Sequence, residues 1–177
     1  VKPEDVVWYR DVLRLKATPR TGWLHRGVPR GESVADHSFA TAALAWRVAR
    51  RVPGVDAARV VLMCLLHDLV EARLGDIPSP AKPYLGKDAL AAAERAIERD
   101  QWPDDAETRG VLEELAAGES AEARLAHALD HLELLLQARA YRDSGHPGVE
   151  GMLRRAKDGA AWRHPATRAW VEQLLAE

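Results

Sequence analysis

The 177-residue chain predicts an all-α fold, one domain over residues 1–177 built of roughly six to eight helices. Three observations predict it. Apolar residues recur at spacings of three and four along most of the chain, as a helix with one buried face requires. No run alternates apolar and polar as a half-buried strand does. Proline and glycine fall between the periodic segments, where they punctuate helices. A chain of this length can bury one proper core, whereas two would be thin.

Taken in order, residues 4–16 (apolar at Val6, Val7, Leu13 and Leu15) read as a first helix that Pro19 closes. Residues 20–31, RTGWLHRGVPRG, read as loop by their glycines and proline. Ser33 can cap a long helix running to about Val52, with Ala40, Ala43, Leu44 and Val48 as its buried stripe. Pro53 and Gly54 turn the chain, and Asp56 caps a helix whose pattern continues to Leu74. Residues 76–86 hold three prolines and predict a stiff, irregular connection. Residues 87–101 and 104–117 are amphipathic helices separated by Pro103, the second ended by Gly118. Ser120 caps the second long helix, residues 121–143, with Leu125, Leu129, Leu132 and Leu136 as its main seam. Leu134, Leu135 and the alanines make the rest of it largely apolar, which predicts a central position. Residues 145–164 read as loop or short helix, and Pro165 opens a last helix to Leu175.

Composition narrows the function classes. The formal charge of −2 gives no electrostatic case for DNA, RNA or an anionic membrane. The single Cys64 lies in an apolar run, excludes an internal disulfide and an all-cysteine zinc knot, and reads as a small core residue. No apolar stretch reaches membrane-spanning length, and the opening VKPEDVVWYR is too charged for a secretory signal, so a cytoplasmic location is expected.

The chemistry gathers around residues 60–76, VVLMCLLHDLVEARLGD, where an apolar run meets His67 and Asp68, with Glu71 one helical turn on. A buried carboxylate without a partner costs several kcal/mol, and a divalent cation removes that cost. His37 stands one turn inside the helix capped by Ser33, and Asp130 lies mid-helix among Ala126, Leu134 and Gln137, a poor place for an aspartate without a task. Two imidazoles and two carboxylates (His37, His67, Asp68, Asp130) would hold one divalent ion and leave positions for water and substrate. Such mixed ligation suits Mn²⁺, Co²⁺, Fe²⁺, Ni²⁺ or Zn²⁺, with Mg²⁺ a further candidate. Glu71 and Asp76, just past the ligands, are placed for proton transfer. Arg20, Arg26 and Lys82 are candidate phosphate contacts, and Trp23 a candidate stacking surface for a base. His127 and His131, an i, i+4 pair, share the wetter side of their helix with Arg124 and rank below these four as ligands.

These residues match a family pattern. His37, the pair His67-Asp68 and Asp130 resemble the ligand set of the HD-domain metal-dependent phosphohydrolases. RTGW (20–23), ESVADHS (32–38), HDLVEARLGDIP (67–78), LDHLELLLQA (129–138) and HPATRAWVEQL (164–174) occur in order and are similar to the HD-domain 5'-deoxynucleotidases, over nearly the whole chain. The resemblance implies an all-α HD-domain bundle, often a homodimer, that hydrolyses deoxyribonucleoside 5'-monophosphates to nucleoside and phosphate with one divalent metal. It implies His37, His67, Asp68 and Asp130 as ligands, Glu71 and Asp76 as catalytic carboxylates, Trp23 near the nucleoside and Lys82 in the loop DxPxPxK. Bacterial members place an arginine directly before that tryptophan, whereas Gly22 stands here and Arg20 lies two residues back, as in eukaryotic-type members. Arg20 and Arg26 both stay open as the phosphate contact. Residues 110–121 look shorter than in eukaryotic members.

Other readings compete. The same chemistry could serve another small phosphate ester or a nucleoside triphosphate, although the neutral chain argues against a strongly basic triphosphate cleft. A di-iron oxygenase of the same superfamily needs further histidines after the pair, and none falls between His67 and His127. A non-catalytic, metal-stabilised regulatory module would not need Glu71 and Asp76.

Overall fold

The computed structural model describes residues 2–176, and among these there are twelve α-helices, two single 3-10 turns and no strand. Seven helices are ten residues or longer: α1 (Pro3–Leu15), α3 (Val34–Ala49), α4 (Ala57–Leu66), α7 (Lys87–Gln101), α8 (Ala106–Ala117), α9 (Ala121–Asp143) and α12 (Pro165–Ala176). They correspond to the seven periodic segments of the sequence. The total exceeds six to eight because single helical turns form in expected loop, as α2 (Thr21–Leu24) and α6 (Lys82–Leu85), and in the segment read as loop or short helix, as α10 (Glu150–Arg154) and α11 (Ala160–Arg163). The helix expected to reach Leu74 also breaks and resumes as α5 (Glu71–Leu74).

Capping explains where the long helices begin. The Ser33 hydroxyl accepts from the Asp36 amide while the Asp36 carboxylate accepts from the Ser33 amide, a closed reciprocal cap. Asp56 accepts from the Ala58 and Arg59 amides, and Ser120 from that of Ala123. Gly118 ends α8 at a φ of +69°, where any other residue would be strained.

The central element is α9, packed against α3, α4, α8, α11 and α12. Leu125, Leu129 and Leu132 are fully buried along it, and Leu135 rather than Leu136 continues the seam. A helix apolar on most sides leaves the choice between neighbouring leucines to its partners. The buried stripe of α3 is likewise rotated from expectation, to Val34, His37, Ser38, Thr41, Ala42, Ala45, Val48 and Ala49. Phe39, Ala43 and Trp46 face outward instead, with the Arg50 guanidinium over the Trp46 ring at 4.8 Å.

Two local departures shape the site. The helix bearing Cys64 does not run on to Leu74. It ends at Leu66, and residues 67–70 form a tight turn with i→i+3 bonds from the Leu69 amide to Leu66 and the Glu71 amide to Asp68. This turn carries His67 and Asp68 off the helix axis together. Residues 18–34 close into a loop, where the Arg20 amide donates to the Glu32 carbonyl and the Val34 amide to that of Thr18, beside an isolated antiparallel bridge from Pro19 to Ser33. The closure sets Arg20 and Trp23 beside the first turns of α3.

Candidate functional site

Four side chains from three segments converge beside α9. The Nε2 of His37 lies 3.0 Å from Asp130 Oδ1, 3.3 Å from His67 Nε2 and 3.9 Å from Asp68 Oδ2. The Nε2 of His67 lies 3.1 Å from Asp68 Oδ2 and 3.8 Å from Asp130 Oδ1. Two ligand atoms each about 2.1 Å from one ion stand roughly 3.0 Å apart at a right angle and roughly 3.4 Å apart at the tetrahedral angle. The spacing and chemistry of the donor set therefore fit a divalent ion. His37, His67 and Asp68 also form a compact group of ligand atoms able to hold one.

The far side of each imidazole is committed. His37 Nδ1 pairs with Glu133 Oε2 at 2.6 Å, both inside the protein, and His67 Nδ1 donates to the Cys64 carbonyl at 2.9 Å. Both contacts place the ring proton on Nδ1 and leave the Nε2 lone pair facing the shared centre. The carbonyl of Cys64 is available because α4 ends at Leu66, two residues on. The Cys64 thiol is inert, pushed up to about 12 by burial and by Asp130.

Electrostatics agree with a site built for a cation. Burial opposes charge on both imidazoles, yet Asp130 and Glu133 raise His37, and Asp68 carries His67 up to about 9. Burial likewise works against the Asp68 and Asp130 carboxylates, and the imidazoles outweigh it, holding both below the usual carboxylate range. Without metal the carboxylates thus draw protons onto the imidazoles, and binding an ion releases them.

Glu71 and Asp76 border the same centre. Burial pushes Glu71 up to about 8, with Asp68 and Asp76 adding to the shift. Asp76 Oδ2 accepts from the Thr21 amide at 2.5 Å and from its hydroxyl at 2.8 Å. Arg20 reaches inward, 3.5 Å from Asp68 Oδ2 and 3.5 Å from Glu32 Oε1. Arg26 instead folds back to donate to the Gly22 carbonyl at 2.7 Å, though it still borders the cleft with Arg20 and Lys82.

Trp23 departs from expectation. It is 2% exposed, donates its indole N–H to Glu32 at 2.9 Å and packs edge-to-face on Tyr141. It is a core residue at the cleft wall, with no free ring face for a base. His127 and His131 stand outside the centre, as their place on α9 suggested. His127 Nε2 pairs with the Leu115 carbonyl at 3.0 Å, and His131 Nδ1 accepts from the Ala161 amide at 3.3 Å. Gly159 lies so close to the His131 ring that a Cβ there would come within 1.9 Å of it.

Sequence reasoning passed over Glu32, Glu133 and Thr21, which orient Trp23 and Arg20, His37, and Asp76 respectively. Glu133 offered a signal. A second carboxylate three residues beyond Asp130 in an apolar helix raises the same question as Asp130 itself.

Comparison with known proteins places this arrangement. The HD domain family model matches residues 12–158. The chain is 34% identical over 174 residues to 5'-deoxynucleotidase HDDC2 of Homo sapiens, an alignment covering 95% of this chain and 83% of the relative. It is 26% identical to 5'-deoxynucleotidase hdd1 of Schizosaccharomyces pombe, over 99% of this chain and 91% of that one. Among solved structures, a conserved hypothetical protein of Pyrococcus furiosus superposes with a TM-score of 0.82 at 28% identity, covering 97% of this chain and 99% of its own. Helical architecture and paired histidine–aspartate centre together define an HD-type phosphohydrolase. More narrowly, the chain belongs to the HD-domain 5'-deoxynucleotidase family.

Proposed function

We propose that the protein is a 5'-deoxynucleotidase, hydrolysing deoxyribonucleoside 5'-monophosphates to nucleoside and phosphate. The observation that carries this reading is the convergence of His37, His67, Asp68 and Asp130 beside Glu71, a carboxyl whose pKa burial raises. Those four residues would hold one divalent ion. Bound there, such an ion polarises a phosphoryl oxygen and lowers the pKa of water.

The protein's own groups do the rest. Arg20, braced by Glu32 and aimed at Asp68, is the better of the two arginines for the phosphate, because Arg26 is occupied by its own turn. Lys82 borders the same space as a second cation. Glu71, a carboxyl that burial biases toward holding its proton, borders the ligand cluster and is the group placed to carry a proton in both directions. It accepts one from the attacking water and delivers one to the 5'-oxygen as the phosphorus–oxygen bond breaks. Asp76, anchored by Thr21, adds to that bias by its negative charge and acts as a positioning group.

The test is phosphate release from the four common deoxynucleoside monophosphates, their ribonucleotide counterparts and the triphosphates, with Mn²⁺ or Co²⁺ supplied. Release from deoxynucleoside monophosphates above the others is expected. No release from any monophosphate overturns the reading.

A further inference from the structure

His67, Asp68, Glu71 and Asp130 stand where two clefts meet, and the clefts differ in chemistry. One is bounded by Arg20, Arg26, Asp76 and Lys82. The other runs between α4, α7, α8 and α9, with Met63, Leu74, Leu90, Leu112 and Leu115 in its walls and Glu94 and Glu98 as carboxylates at its edge. Resting on the nucleotidase reading above, we propose that this second cleft seats the nucleobase and that Glu94 and Glu98 read its amino edge.

Two observations support the assignment. The phosphate end of a nucleotide needs cations, which line the first cleft, whereas a planar ring needs apolar walls, which line the second. The alternative stacking surface, Trp23, is closed off by Tyr141 and by burial.

The carboxylates point to the kind of base. Leu90, Glu94 and Glu98 follow one another at four-residue intervals on α7 and share its inner face. Both glutamates are half-buried, and among the described residues neither carboxylate accepts a hydrogen bond, although Arg95 attracts both and Arg99 attracts Glu98. Lys82, at the junction of the clefts, attracts Glu94 without donating to it. A carboxylate beside apolar walls needs a donor, and the exocyclic amino groups of adenine, cytosine and guanine supply one. Thymine sets carbonyl oxygens on both sides of its one ring N–H, and those oxygens oppose a carboxylate.

The experiment compares wild type, the Glu94→Gln/Glu98→Gln double variant and Leu90→Trp, a change at a half-buried position of the cleft wall. With Mn²⁺, kcat/KM is measured for dAMP, dCMP, dGMP, dTMP and the base-free ester 2-deoxyribose 5-phosphate. The double variant should lower the ratio of kcat/KM for dGMP, dAMP and dCMP over that for dTMP by about tenfold, because an amide can donate as well as accept. Leu90→Trp should lower the preference for nucleotides over the base-free ester by about tenfold. An unchanged base ranking in the first variant overturns the proposal, as does an unchanged preference in the second. Calorimetric binding of free deoxyguanosine, retained by wild type and lost in Leu90→Trp, reads the base seat independently of hydrolysis. A wild type that binds deoxyguanosine yet releases no phosphate therefore refutes the nucleotidase reading alone, and one that hydrolyses nucleotides without sensing Leu90→Trp refutes the base seat alone.

Discussion

The Nδ1 of His37 meets the Oε2 of Glu133 at 2.6 Å, in a part of the protein where both side chains are buried. Glu133 lies three residues beyond Asp130 on α9, so one helical turn supplies both a ligand candidate and the group that orients another. Glu133→Gln keeps the shape but removes the charge that favours the Nδ1 proton. Metal affinity should fall about 10- to 100-fold, measured by competition with a chromophoric chelator. Unchanged affinity would show that the pair serves packing alone.

Glu71 separates metal binding from chemistry. Glu71→Gln should leave metal content intact while lowering kcat by about 10²- to 10⁴-fold, the range associated with loss of a general acid–base group. Metal analysis and phosphate release on the same preparation decide the matter. Full hydrolysis in the variant would remove Glu71 from the mechanism.

The same carboxyl imposes a pH dependence on the metal-free protein. Glu71 binds its proton up to about pH 8 when folded and up to about 4.5 in the unfolded chain. Between those values the folded state holds a proton that the unfolded state has lost. The contribution is complete below about 4.5 and disappears as pH rises through about 8. His67, raised from 6.5 to about 9, acts in the same direction over its own window. The thermal midpoint of chelator-treated protein should therefore fall as pH rises through this range, and Glu71→Gln should flatten the fall. A midpoint that rises with pH there would contradict it.

Asp11 ties distant elements to the catalytic turn. It is 1% exposed, accepting from Arg73 Nε at 2.6 Å on α5, from Gln101 Nε2 at 3.3 Å on α7 and from Arg14 at 2.8 Å. Gln101 also donates to the Leu69 carbonyl beside Asp68. Asp11→Ala leaves those donors without their acceptor and should cost about 2–3 kcal/mol in urea denaturation. A loss near zero would mean that water replaces the carboxylate freely.

What the sequence by itself determined is the helical architecture and the identity of the residues at the centre. Periodicity and caps such as Ser33, Asp56 and Ser120 are local, and local rules place the long helices within a few residues. Asp68 and Asp130 stood out because charge in an apolar helix needs a reason, whereas His37 drew notice only together with them and through the family pattern. Tertiary structure alone decided how those residues face one another. The tight turn at residues 67–70, the inward aim of Arg20, the closing of Trp23 beneath Tyr141 and the choice of Leu135 over Leu136 all depend on partners remote in sequence. A helix with apolar residues on most sides, or a loop rich in glycine and proline, is compatible with several arrangements until another element packs against it.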